Sequence, residues 1–577
     1  SSVTIKTLIQ KGLLKESYEE VYRDPYQDKM FKKTEPLPLT DEQRAAFEPI
    51  RETLDSDEHK VFLLHGVTGS GKTEIYLQSI EKVLAKGKEA IVLVPEISLT
   101  PQMVNRFKGR FGSQVAVMHS GLSTGEKYDE WRKIHRKEVR LVVGARSAIF
   151  APFENLGMII IDEEHESSYK QEEMPRYHAK EVAIKRAEHH SCPVVLGSAT
   201  PTLESYARAQ KGVYELLSLK HRVNHRVMPE VSLVDMREEL RNGNRSMFSV
   251  ELMEKLEETI AKGEQAVLFL NKRGYSSFVM CRDCGYVPQC PHCDISMTYH
   301  RYGQRLKCHY CGHEEPVPHT CPECASEHIR FFGTGTQRVE EELTKVLPSA
   351  RVIRMDVDTT SRKGAHEKLL SAFGEGKADI LLGTQMIAKG LDFPNVTLVG
   401  VLSADTTLHI PDFRSAEKTF QLLTQVSGRA GRHEKPGHVI IQTYTPSHYS
   451  IQLTKTHDYE TVLSSMKWRT RREQSYPPYY YLALVTVSHE EVAKAAVTAE
   501  KIAHFLKANC GADTKILGPS ASPIARIKDR YRYQCVIKYK QETQLSALLK
   551  KILEHYKREI EQKHVMISID MNPYMMM

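Results

Sequence analysis

The chain has 577 residues, 41% of them hydrophobic and 27% charged, which is too long for one core and too apolar for a disordered chain. No apolar run approaches the roughly 18–20 residues that span a bilayer, and the N-terminus carries no basic patch followed by an apolar stretch. A net charge of +7 is compatible with a polyanionic partner, but spread over this length it does not by itself make a patch.

Residues 1–24 predict a short amphipathic helix followed by a strand, too little to fold alone. The chain opens Ser-Ser-Val without an initiator Met, so further residues are expected upstream. Pro25, Pro36 and Pro38 mark a linker. From Leu39 to about Ala207, strand and helix patterns alternate. VFLLHG (Val61–Gly66), EAIVLVPE (Glu89–Glu96), VRLVVGA (Val139–Ala145), GMIIIDEE (Gly157–Glu164) and CPVVLGSA (Cys192–Ala199) are short, nearly continuous apolar runs. Such runs suit strands buried on both faces of a parallel sheet. A second series from about Val231 to Tyr444 (QAVLFLN, ARVIRMD, ADILLGT, VTLVGVL, GHVIIQT) is interrupted by a cysteine-rich block. The fold class is therefore α/β, with two parallel-sheet lobes, an insertion in the second and a C-terminal α+β domain. The expected boundaries are 1–38 for the N-terminal remnant and linker, 39–227 and 228–455 for the lobes, 278–328 for the insertion, and 456–577 for the last domain.

The first lobe carries GVTGSGKT directly after a strand and before a helical stretch. Gly66, Val67, Thr68, Gly69, Ser70, Gly71, Lys72 and Thr73 fill the G-x-x-x-x-G-K-[ST] pattern. Its glycines let backbone N–H groups face phosphates, Lys72 reaches the outer phosphates and Thr73 ligates Mg²⁺. Further on, IIIDEEH places Asp162 as a second Mg²⁺ contact and Glu163 to polarise the attacking water. ATP and Mg²⁺ are thus expected, with hydrolysis as the reaction. In the second lobe, QVSGRAGR puts Arg429 and Arg432 three apart. That spacing predicts one side of a helix, from which both reach the γ-phosphate across the lobe interface.

After the acidic pair, Tyr169, Lys170, Arg176, Tyr177 and His178 interleave aromatic and basic residues. Rings stack on unpaired bases and cations hold phosphates, so this segment is a candidate single-strand contact; the bland alternative is a loop with one Tyr packed on the lobe. KWRTRREQSYPPYYY (Lys467–Tyr481) and RIKDRYRYQ (Arg526–Gln534) read the same way, with a solvated face as the alternative.

Eight of the eleven Cys form four C-x-x-C pairs: Cys281/Cys284, Cys290/Cys293, Cys308/Cys311 and Cys321/Cys324. Four thiolates complete a tetrahedral Zn²⁺ site, so two Zn²⁺ are expected in preference to disulfides or an iron–sulfur cluster. The inner pairs have zinc-ribbon separation, which favours a nested arrangement; sequential and cross-braced pairings stay open. His292, His309 and His313 read as surface residues, because eight Cys saturate two sites. From Cys281 to Arg330 there are five Lys/Arg and six Asp/Glu, and each four-thiolate zinc adds two negative charges, so the module is no phosphate grip.

In this order GVTGSGKT, DEEH, GSATP (Gly197–Pro201), LLGTQMIAKGLDFPNV (Leu381–Val396) and QVSGRAGR resemble the motif series of superfamily 2 helicases over residues 39–455. VPEISLTPQM, HSGLS and GARSAIFAPF resemble its DNA-gripping motifs, which makes Arg146 a DNA contact. DEEH running into SSYKQEEMPRYHAKEVA, FLNKRGY, the eight-Cys insertion, GTGTQRVEE, ADTTLHIPDFRSAEK and GPSASPIARIKDRYRYQ narrow the likeness. The chain resembles the primosomal replication-restart helicase family PriA. That resemblance implies two RecA-like lobes, 3′-to-5′ unwinding of single-stranded and forked DNA, and initiation of primosome assembly. It also implies primosome proteins and single-stranded-DNA-binding protein as partners. The cysteine usage, with no disulfide-like density outside the block, favours a reducing cytosol; the absence of a long apolar run leaves no membrane span expected, and a cytoplasmic monomer is expected. Ser198 and Thr200 would relay between nucleotide and DNA, and Gly390 and Asp392 would couple the second lobe to nucleotide. The zinc module would be a wedge or a docking surface. Relative to the family, the N-terminal 3′-end-binding domain is missing and only the tail of its winged helix is expected here. The competing functions are a double-stranded DNA translocase and an ATP-binding primosome scaffold, neither separating strands.

Overall fold

In the computed structural model of the chain, the described residues are 2–15, 17, 20–23, 26, 30–95, 101–223, 228–271, 278–293, 295–300, 303–332, 335–360, 365–387, 393–431, 435–456, 459, 461, 467–574 and 576. A helix at Ser2–Gln10 matches the sequence expectation. The strand expected after it is not formed among the described residues. That segment instead lies on the first lobe: Tyr22 donates to Glu138 at 2.7 Å, Glu20 pairs with Arg136 at 2.6 Å, and the Arg23 amide donates to Asp129 at 2.9 Å. Side-chain partners here replace a strand partner.

The first lobe is a seven-stranded parallel sheet. Its strands are β1 (Val61–Gly66), β2 (Glu89–Leu93), β3 (Val115–Met118), β4 (Leu141–Gly144), β5 (Leu156–Asp162), β6 (Val194–Ser198) and β7 (Glu215–Leu219), in the order β3-β4-β2-β5-β6-β1-β7. Alternate residues of one strand enter two different cores, Val61 and Leu63 on one face, Phe62 and Leu64 on the other. Both faces being covered explains why these strands read as unbroken apolar runs. β3 and β7 are not legible in that way, because they are the two edges and β7 alternates buried with exposed residues.

The second lobe repeats the design with β8 (Glu230–Asp235) and β9 (Gln265–Phe269), followed after the insertion by further strands. The insertion holds β10 (Phe278–Cys281), β11 (Thr298–His300), β12 (Arg305–Lys307), β13 (Glu314–Pro316) and β14 (Ile329–Phe332). β10 pairs antiparallel with β14 at its base, and β11-β12-β13 form an antiparallel sheet above it. The lobe resumes with β15 (Val352–Met355), β16 (Ile380–Gly383), β17 (Val396–Val401) and β18 (His438–Thr443), giving a parallel sheet in the order β15-β16-β9-β17-β18-β8.

The C-terminal unit is antiparallel, β20-β21-β19-β22, from β19 (Tyr481–His489), β20 (Lys515–Ile527), β21 (Arg530–Tyr539) and β22 (Met566–Met571). Helices Val492–Asn509 and Leu545–His555 cover one face through Ala499, Ile502, Leu506, Leu548 and Ile552. The other face meets the insertion, where Leu482, Leu484 and Val536 pack with Cys293, Cys308 and Tyr310. Tyr476 pins that junction. It is 2% exposed, stacks on Phe413 of the second lobe at 4.3 Å, and donates to the Cys293 carbonyl at 2.9 Å. Burying an aromatic of about 150–250 Å² at about 25 cal/mol/Å² contributes roughly 4–6 kcal/mol. Among the described residues no helix is long and apolar enough to cross a membrane.

Candidate nucleotide site, zinc centres and strand-contact residues

β1, β6 and β5 are neighbours, so their C-terminal ends bring three motifs that are far apart in sequence to one edge of the sheet. The loop after β1 runs into a helix, Lys72–Ala85, that starts on Lys72 and Thr73. Gly69 and Gly71 take φ of 86° and 81°, the left-handed region that favours glycine. Two residues outside every sequence motif hold the loop. Gln43 donates to the Ser70 carbonyl at 2.8 Å, and Arg222 donates to the Thr68 carbonyl at 3.1 Å. Gln43 is the third residue of a capping box with Thr40, and the T-x-x-Q spacing before an apolar helix is its signal. Lys72 Nζ lies against the loop, donating to the Gly66 carbonyl at 2.6 Å.

Asp162 ends β5 and Glu163 follows at φ 49°, a strained conformation that turns the chain sharply. Burial, and then the neighbouring Glu163 carboxylate, push the Asp162 carboxyl up to about 6, while Lys72 pulls it back. Glu163 Oε2, Ser70 Oγ and Thr200 Oγ1 are buried with no hydrogen-bond partner among the described residues. Buried polar atoms in native structures are normally paired. Orphans clustered beside a phosphate loop and a buried acid therefore fit a magnesium nucleotide with its attacking water. Lys72 and the loop amides would hold the phosphates, Thr73 and Asp162 the cation, and Glu163 the water. Bound Mg²⁺ would supply charge neutralisation at the phosphates.

Glu164 and His165 tie this edge to the rest of the molecule. Glu164 accepts from Lys180 at 2.8 Å, from the Thr202 amide at 2.7 Å and from Ser205 at 2.8 Å. His165 sits between lobes: its Nδ1 is 2.7 Å from Ser198 Oγ and its Nε2 is 2.8 Å from Gln425 Nε2. Gln421 adds a bond to the Thr200 carbonyl at 3.1 Å. The helix bearing these glutamines, Ser415–Ser427, ends against the phosphate loop, where a Cβ on Gly428 would come within 2.9 Å of Thr68. Because the helix stops at Ser427, Arg429 lies beyond it and not on the helix where the spacing predicts it. Arg429 is half-buried one residue past the Gly428–Thr68 approach. Arg432, Gly390 and Asp392 lie outside the described residues.

The sulfurs sort into two groups, Cys281/Cys284/Cys321/Cys324 and Cys290/Cys293/Cys308/Cys311, which is the nested pairing. Sγ–Sγ distances of 3.7 Å (Cys281–Cys324), 3.5 Å (Cys284–Cys321) and 3.6 Å (Cys290–Cys311) approach the ~3.8 Å edge of a tetrahedron with ~2.3 Å Zn–S bonds. Knuckle turns, such as the Gly285 amide to the Cys281 carbonyl at 2.8 Å and Gly312 to Cys308 at 2.9 Å, aim the thiolates. These are two Cys₄ zinc-binding sites. His292 is exposed and His313 half-exposed, but the surface reading of His309 is corrected. It is 2% exposed, with Nδ1 on the Ala521 carbonyl at 3.1 Å, and its own carbonyl accepts from Ser520 at 2.8 Å. It fastens the insertion to the C-terminal sheet.

The strand-contact expectations separate. Tyr169 is 1% exposed inside the first-lobe core, its hydroxyl 2.5 Å from the Asp162 carbonyl and 3.1 Å from that of Leu93, so it has no face for a base. Lys170 is buried too, paired with Asp570 of β22 at 2.7 Å and donating to the Met571 carbonyl at 3.1 Å. Both are corrected from DNA contacts to packing residues, Tyr169 because its ring fills the first-lobe core and Lys170 because the C-terminal strand covers it. Arg176, partly exposed, lies 3.6 Å from the same Asp570. Tyr177 is half-buried edge-on to Phe150 at 4.9 Å, with the Arg146 guanidinium 5.8 Å over its ring. Arg146 donates to the Ser168 and Lys170 carbonyls at 3.1 and 2.8 Å, stapling the loop. In the last domain, Arg471 is buried against Glu417 at 2.8 Å, so this Arg of the basic-aromatic run is structural. Tyr574 crosses back to the first lobe and donates to the His165 carbonyl at 2.6 Å.

Comparison with known proteins agrees with this layout. Residues 40–209 match the DEAD/DEAH box helicase family and 325–434 the helicase conserved C-terminal domain. Residues 290–316 match the PriA DNA helicase Cys-rich region domain, and 472–574 the primosomal protein N C-terminal domain. Replication restart protein PriA of Bacillus subtilis (strain 168) is 98% identical over 577 residues, covering 100% of this chain and 72% of that protein. Its counterpart in Synechocystis sp. is 47% identical over 582 residues, 99% of this chain and 69% of that one. The structure of RecG bound to a three-way DNA junction superposes at a TM-score of 0.44 with 18% identity, over 73% of this chain and 47% of that one.

Proposed function

Because the chain belongs to the PriA replication restart helicase family, we propose that it is an ATP-dependent DNA helicase of 3′-to-5′ polarity that unwinds forked DNA and initiates primosome assembly. The observation that carries this reading is the convergence at one interface. Gly428 of the second lobe abuts Thr68 of the phosphate loop, and His165 bridges Ser198 to Gln425. A site built from both lobes converts nucleotide occupancy into relative lobe position, which is what a motor on a strand needs.

On this reading Lys72, Asp162 and Glu163 carry hydrolysis from the first lobe and Arg429 and Arg432 from the second, with Gly390 and Asp392 coupling. Residues 39–227 and 228–455 are the motor lobes, 278–328 the zinc insertion, 456–577 the C-terminal DNA-binding domain and 1–38 a remnant and linker. Arg176, Tyr177 and Arg146 remain the first-lobe candidates for strand contact. Primosome proteins and single-stranded-DNA-binding protein are the proposed partners, in the cytoplasm. The test is ATPase activity with and without single-stranded DNA, paired with strand displacement on a short forked duplex. DNA-stimulated hydrolysis with displacement supports a helicase; stimulation by duplex without displacement makes it a translocase; no stimulation makes it a scaffold.

A further inference from the structure

Tyr76 stands on the first turns of the helix after the phosphate loop, four residues beyond Lys72. Its ring is 2% exposed, and its hydroxyl donates to Asp162 Oδ1 at 3.0 Å. Room for that hydroxyl is made on β6. Gly197 pairs in register with Asp162, and a Cβ at Gly197 would overlap the Tyr76 hydroxyl. The same glycine's carbonyl accepts from the Glu164 amide at 3.0 Å, so the phenol is seated where β5 and β6 end together.

One Asp162 oxygen is thus taken by a rigid aromatic donor, and on the reading of Asp162 as a Mg²⁺ contact the other would be the one offered to the cation. Outer partners of this kind fix the direction in which a carboxylate offers its lone pairs, and losing one typically costs about 10–100-fold in metal affinity. We infer that Tyr76 is a positioning residue for hydrolysis, orienting Asp162 for Mg²⁺ without itself touching nucleotide. The inference rests on the reading of Asp162 as a Mg²⁺ contact.

The test is equilibrium binding of a fluorescent ATP analogue by the whole chain, titrated with Mg²⁺ and repeated in EDTA, for wild type, Tyr76→Phe and Asp162→Asn. Phenylalanine keeps the ring's volume and packing. Tyr76→Phe is expected to raise the Mg²⁺ concentration at half-maximal enhancement of binding roughly ten-fold or more. Affinity in EDTA should stay at the wild-type value, and kcat should recover as Mg²⁺ is raised. An unchanged Mg²⁺ midpoint in Tyr76→Phe, with Asp162→Asn losing the enhancement, overturns the role of Tyr76 alone. Equal weakening of Tyr76→Phe with and without Mg²⁺ also overturns it, making the residue mere support for the loop. If Asp162→Asn keeps full Mg²⁺ enhancement, the site reading falls and the inference with it.

Discussion

Lys170 decides between a DNA-gripping loop and a docked one, and Asp570→Asn is the sharper way to ask. The two side chains are each 3% exposed and 2.7 Å apart. Asparagine keeps the size of Asp570 and an amide oxygen that can accept, but it removes the negative charge. The buried ammonium is left with neutral acceptors only, among them the Arg176 and Met571 carbonyls at 3.2 and 3.1 Å. Breaking a buried pair by removing one partner costs about 3–5 kcal/mol, and the two retained carbonyl bonds place this case near the lower figure, about 3 kcal/mol. Urea unfolding of wild type, Asp570→Asn, Lys170→Met and the double variant forms a cycle. Each single change should destabilise, and the double should lose clearly less than their sum. In parallel, the salt dependence of single-strand binding should be the same for Lys170→Met as for wild type. A Lys170→Met protein of normal stability, whose salt slope falls by about one phosphate contact, would show that the lysine grips DNA after all.

Lys72→Ala should reduce ATP hydrolysis by several orders of magnitude while single-strand affinity, measured by fluorescence anisotropy, stays near wild type; wild-type-like turnover would remove the phosphate-site assignment. Metal analysis should find about two zincs per chain, about one after Cys290→Ser with Cys308→Ser, and fewer than one after Cys290→Ser with Cys321→Ser, since only the last combination damages both groups. Burial opposes ionisation of Glu164, but Lys180, Thr202 and Ser205 outweigh it and hold its carboxyl below its ordinary 4.5. The stability it contributes is therefore complete above about pH 4.5 and lost as pH falls through the lower folded value, so Glu164→Gln should destabilise strongly at pH 7 and progressively less toward pH 3 in thermal scans. His165→Ala should lower DNA-stimulated hydrolysis more than basal hydrolysis, because it removes the bridge between Ser198 and Gln425 and leaves Lys72 and Asp162 untouched; equal loss of both rates would assign His165 to the chemistry alone.

The amino-acid sequence is legible wherever local chemistry dictates the outcome. An apolar run buried on both faces, a glycine loop between strand and helix, an acidic pair at a strand end and four thiolate knuckles each fit within about ten residues. The requirement they answer to, a buried backbone or a phosphate or a metal, is also local. Even the nested zinc pairing is favoured by spacing, because a short antiparallel sheet between the inner knuckles sets their separation. Long-range neighbours decide the rest. Tyr169 and Lys170 have the composition of a strand-binding loop, yet the first-lobe core takes the Tyr169 ring and β22 arrives from the far end of the chain to cover Lys170. His309 looks like any polar residue beside a knuckle until Ala521 and Ser520 close over it. Tyr76 reads as one more apolar position on a helix. Only the adjacency of β5 and β6, and the missing Cβ of Gly197, bring its hydroxyl onto Asp162. Sequence alone determined which chemistry each segment can perform. The tertiary structure decided which segments remain exposed to perform it, because burial and charge pairing depend on what else occupies the space.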